Sequence, residues 1–104
     1  MITSTGRQKD LQRILDNLDH ATYVLDGNTQ IIPFYDTKIE NDILHIYLYL
    51  DESVKGNITN FKVIDKNGDV YIDRADSINK SDLKGVYVAF SYKYDVKEVP
   101  NVLR

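Results

Sequence analysis

The chain has 104 residues, 42% of them hydrophobic and 28% charged, with a formal net charge of −3. That length holds one modest core in a single folded domain over 1–104, and the acidic balance speaks against a general binder of nucleic-acid backbones, which carries a basic patch. No cysteine is present, which removes disulfides, thiolate nucleophiles and cysteine zinc sites together, and no apolar run approaches the roughly 18 residues of a membrane span.

The opening MITSTGRQKD lacks the basic-then-apolar pattern of a signal peptide. With the absence of cysteine, this sets the expectation of synthesis in a reducing cytoplasm. Residues 4–20 read as one amphipathic helix, because Leu11, Ile14, Leu15 and Leu18 fall at i, i+3, i+4 and i+7 on a single stripe. Thr5 followed by Gln8 forms a capping-box pattern at its start. His20 falls at its end, where an imidazolium would favour the dipole.

From Ala21 the period changes to two, and residues 21–96 read as β-rich. Thr22–Leu25 is a short strand closed by Asp26-Gly27-Asn28, a strong turn signal. Ile31–Ile39 reads as the next strand, confined by Pro33 to a sheet edge or a bulge. Ile43–Leu50 follows the turn Glu40-Asn41-Asp42, with Leu44, Ile46, Leu48 and Leu50 on one face and His45, Tyr47 and Tyr49 on the other. Asp51–Asn57 is a polar connection.

Ile58–Ile64 and Asp69–Arg74 form a hairpin about Asp65-Lys66-Asn67-Gly68-Asp69. Asp65 and Asn67 are turn formers there, and Gly68 supplies the positive φ of a type I turn with a G1 bulge. Asp76–Lys84 is polar with little to bury and reads as a loop. Gly85–Val96 is the longest strand, with Val86, Val88, Phe90, Tyr92, Tyr94 and Val96 on one face. Residues 97–104 read as a loosely ordered tail. The sum is an α+β domain, mostly β. One N-terminal helix packs on an antiparallel sheet or sandwich of about six strands.

Chemistry-bearing patterns are sparse. Counted as an EF-hand loop from Asp65, the glycine position holds Val70 and the closing glutamate position holds Asp76, so a hairpin turn is the expectation and no metal or cofactor is assigned. The two histidines, His20 and His45, lie too far apart in sequence to make a recognisable metal motif. No nucleophile elbow, catalytic serine context or phosphate-binding glycine loop occurs. The expectation is a protein with no catalytic residues. The compositional oddity is tyrosine: eight, against three Phe and no Trp. Tyrosine combines a broad apolar ring with a hydroxyl that stays wet, which suits sheet faces and interfaces. His45, Tyr47 and Tyr49 are therefore the candidate interaction surface.

The opening Ile2-Thr3-Ser4-Thr5-Gly6-Arg7, leading into an amphipathic helix, resembles the "I-T-x-x-G-R" start of tail-fibre and baseplate-associated proteins of tailed bacteriophages. Ile64-Asp65-Lys66-Asn67-Gly68-Asp69-Val70, with Val86–Tyr94 as a final strand, resembles their β-rich continuation. The style is that of small structural proteins of phages infecting Gram-positive hosts. The glycine-rich stretch that follows the first helix in the usual tail-fibre proteins is missing, since His20–Ile32 contains only Gly27. The resemblance implies a virion component, made in the bacterial host cytoplasm. It would work by binding other tail proteins or further copies of itself as a homo-oligomer. The alternative is a module of an adsorption apparatus that binds carbohydrate or receptor at the host cell surface. It ranks lower because sugar stacking usually recruits Trp.

Overall fold

The computed structural model describes residues 2–80 and 85–93. One helix, α1 (Ser4–Asp16), precedes seven strands: β1 (Leu18–Leu25), β2 (Asn28–Ile32), β3 (Asp36–Glu40), β4 (Ile43–Leu50), β5 (Gly56–Asp65), β6 (Val70–Lys80) and β7 (Val86–Lys93). They form two antiparallel sheets, β2-β1-β5-β6 and β3-β4-β7. The expected mostly-β architecture is the one observed, in its sandwich form, with one strand more than the expected count.

The core lies between the two inner faces. Leu44, Ile46, Leu48 and Leu50 of β4 meet Ala21 and Tyr23 of β1 and Ile58, Phe61 and Val63 of β5, with Val88 and Phe90 closing from β7. The ring of Phe61 meets that of Phe90 edge-on at 6.2 Å between centroids, an aromatic contact across the sandwich. Strict alternation on β4 and β7 is what the period-2 pattern predicts for strands buried on one face.

The helix begins at Ser4 as read, but its cap and its C-terminal bound differ from the sequence reading. It is capped by Thr3, whose hydroxyl accepts from the Gly6 N–H at 3.0 Å, two residues before the expected Thr5. It ends at Asp16, with Asn17 as C-cap. Leu18 and His20 belong to β1. Leu18 fits a helical stripe seven residues after Leu11 and equally well starts the inward face of a strand, so its spacing could not separate the two. Leu11 is the fully buried anchor of the helix, while Ile14 and Leu15 pack against the core half-buried. The helix lies against β1, β3 and β4. Arg7 Nε donates to Asp42 Oδ2 at 2.8 Å, and the Lys66 N–H donates to the Asn17 carbonyl at 2.8 Å. These contacts fix α1 over the end of the sandwich that carries the β3–β4 and β5–β6 turns.

The single strand expected over Ile31–Ile39 is two strands, β2 and β3, in different sheets. Pro33 can donate no ladder hydrogen bond, and the chain crosses from one layer to the other over Pro33-Phe34-Tyr35. The loop expected at Asp76–Lys84 is strand as far as Lys80. The reason is composition: the inward side of β6 carries Arg74, Asp76 and Lys80 among its isoleucines, so apolar alternation is hidden. Residues 81–84, and the expected strand end and tail over 94–104, lie outside the described residues.

The hairpin turn forms as read. The Gly68 N–H donates to the Asp65 carbonyl at 3.0 Å, and the Asp65 N–H donates to the Asp69 carbonyl at 2.9 Å. Asp65 Oδ1 also accepts from the N–H groups of Asn67 and Asp69. Gly68 has φ +84°, the left-handed conformation that the turn requires.

Candidate functional site

The outer face of the β3-β4-β7 sheet is set by register. Tyr49 pairs with Tyr87, Tyr47 lies between Asp36 and Ala89, and His45 lies between Lys38 and Ser91. The imidazole of His45 stacks on Tyr47, with centroids 6.1 Å apart and planes 12° apart, and its Nδ1 lies 3.1 Å from Ser91 Oγ. Lys38 and Glu40 of β3 form an exposed ion pair beside this row. The Lys38 hydrogen bond lowers the Glu40 carboxyl below its ordinary value, and the Glu40 hydrogen bond raises the Lys38 ammonium.

Tyr49 takes a different set of partners. Its ring lies 4.7 Å from that of Tyr87 and 5.5 Å from that of Tyr35, and Tyr35 and Tyr87 are themselves 5.5 Å apart. A Cβ on Gly85 would fall onto the Tyr49 hydroxyl, so the glycine makes room for the phenol. Tyr35 and Tyr87 are 59% and 62% exposed, so the triad stands on the surface as a ridge. The three expected residues thus divide: His45 and Tyr47 form one stacked pair, and Tyr49 joins a cluster whose other members sequence reasoning did not single out. Tyr87 was legible from the outward alternation of β7. Tyr35 was not, because it sits in the crossing that the sequence presents as strand.

On one side of Tyr35 lies a cleft of about 440 Å³ between the layers, at the end of the sandwich away from the helix. Tyr23, Phe34, Tyr35 and Tyr49 give it aromatic walls, and Asp51 and Ser53 give it a polar one. On the other side is a shallower concavity of about 450 Å³ lined by Tyr35, Asp36, Lys38, Tyr47 and Tyr87. The polar wall belongs to the β4–β5 loop. Asp51 Oδ1 accepts from the hydroxyl and the N–H of Ser53, which holds the carboxyl below its ordinary value. Tyr23 is buried beside it, and burial first, then the Asp51 charge, pushes its phenol above 10.0.

That loop is anchored from beneath. Lys80 is 3% exposed, and its Nζ donates to the Asp51 and Val54 carbonyls, at 2.7 Å each. It is the only charged side chain among the buried described residues. Among the described residues no group of three or more His, Asp or Glu side chains is placed to hold a metal ion. No described helix is long and apolar enough to cross a membrane. The turn residues Asp65, Asn67 and Gly68 lie at the helix end, away from the cluster of Tyr35, Tyr49 and Tyr87. No protein-family model matches the chain, and no curated protein or solved structure is significantly similar to it.

Proposed function

We propose that this protein is a tail- or baseplate-associated virion component of a tailed bacteriophage. It acts by binding other tail subunits or further copies of itself, and it performs no catalysis. The resemblance of Ile2–Arg7 and of the Ile64–Val70 turn to such proteins motivates the assignment. The observation that carries the binding role is the stacked His45–Tyr47 pair, placed on the outer face of a sheet whose other face is already core. Aromatic residues at the centre of an interface commonly dominate its energetics, each worth on the order of 2 kcal/mol or more when truncated.

The test is the double variant His45→Ala, Tyr47→Ser, leaving Tyr49 in place because it supports the Tyr35–Tyr87 cluster. Circular dichroism should report an unchanged fold, while sedimentation should report weakened self-association or weakened docking onto tail preparations. A wild-type protein that stays monomeric at every concentration and binds no tail component overturns the reading.

A further inference from the structure

Three separate devices converge on the cleft beside Tyr35. Gly85 leaves space for the Tyr49 phenol, the crossing at Pro33-Phe34-Tyr35 projects Tyr35 from between the layers, and buried Lys80 ties down the loop bearing Asp51 and Ser53. A buried ammonium is expensive unless its donors are satisfied. Here two of the three donate to carbonyls of the very loop that forms the polar wall. The aromatic and polar walls are therefore held in place before any ligand arrives, the condition under which a small cleft binds without an ordering penalty.

We propose that this cleft is a binding site for a neutral saccharide. A pyranose has an apolar C–H face and a rim of hydroxyls, and the cleft pairs aromatic rings with a carboxylate, a serine hydroxyl and phenols. The volume lies within the roughly 300–1,000 Å³ range of small-molecule sites, with room for a mono- or disaccharide. Tyr35 is the stacking platform, since its ring is the exposed one. Asp51 accepts from vicinal hydroxyls, and the phenolic hydroxyls of Tyr23 and Tyr49 are placed to donate. Among the described residues Asp51 is the only charged one lining the cleft, which selects against anionic sugars. The absence of Trp from the chain is met by gathering tyrosines from three separate segments. This site does not depend on the virion reading, and it leaves His45 and Tyr47 out.

The experiment is an NMR titration of the ring-labelled tyrosines of the full chain with three neutral probes: maltotriose, cellotriose and N,N′,N″-triacetylchitotriose. Saturable shifts at Tyr35 and Tyr49 with at least one probe are expected. Tyr35→Ala, at an exposed position, should lower the affinity at least tenfold, as should Asp51→Asn, while His45→Ala with Tyr47→Ser leaves it unchanged. Lys80→Met should weaken binding although Lys80 touches no ligand, and retention of the wild-type strand signals separates that effect from unfolding. No saturable shift with any probe up to about 10 mM, the range of the weakest specific affinities, overturns the proposal. So does stronger binding of a sulfated oligosaccharide, a response of the same rings to a polyproline peptide instead of sugars, or ring shifts that depend on protein concentration alone.

Discussion

Gly68 and Tyr23 show how single positions carry separable burdens. A Cβ at Gly68 would meet nothing within 4 Å, so only its φ of +84° restricts the residue. Gly68→Val should then cost roughly 1 kcal/mol or more in denaturant unfolding, and Gly68→Asn distinctly less, because Asn tolerates the left-handed region. Equal costs for the two would mean that something other than the backbone conformation is at work. Tyr23 links stability to pH. Its phenol pKa is raised in the fold, so the stability it contributes is fully present below its ordinary value of 10.0 and is lost as pH rises through the folded value. Alkaline titration of the melting temperature should therefore fall more steeply above about pH 10 for the wild type than for Tyr23→Phe.

At the scale of elements, the helix is held chiefly by one side chain. Leu11 has no exposed surface, so Leu11→Ala should cost about 2–5 kcal/mol, and Leu15→Ala less, since Leu15 is only half-buried. Thermal or denaturant unfolding of the two variants checks the order, and the reverse order would show that the packing of α1 is misjudged. The same element shows what the sequence could and could not reveal. Strand β4 was legible in full, and β7 over its described residues, because their inward residues are aliphatic or aromatic without exception. The β5–β6 turn was legible because Asp, Asn and Gly stand where its geometry needs them. Leu18 was ambiguous between two periods. The end of β6 was hidden because Arg74 and Lys80 occupy inward positions, where their long stems are buried and their charged ends find carbonyls. The tyrosine triad was hidden for a related reason: its members come from a crossing and two strands far apart in sequence, and only pairing register brings them together.

The whole molecule is a two-layer sandwich whose rims are closed in different ways. One end is covered by α1. One side is closed covalently, where the chain passes from β2 to β3 through Pro33-Phe34-Tyr35. The opposite side, between the edge strands β6 and β7, is bridged by side chains. Arg74 reaches from β6 to donate through Nη1 to the Ala89 carbonyl of β7 at 2.9 Å. Its guanidinium lies 4.4 Å from the Phe90 ring centroid, and the rings of Tyr71 and Tyr92 meet at 6.2 Å alongside. The remaining end holds the cleft. Arg74 thus stands where two sheet edges would otherwise offer unpaired backbone groups to another chain, a recognised route to edge-to-edge association. Arg74→Ala removes the carbonyl's donor and the cation over the ring, and it should destabilise the fold by about 1–3 kcal/mol. Arg74→Lys should recover only part of that, because an ammonium lacks the planar fork that donates and stacks at once. Chemical denaturation of both variants, with light scattering at several concentrations, reads the stability and the edge protection together. A fully stable, monomeric Arg74→Ala protein would show that this side of the sandwich closes without it.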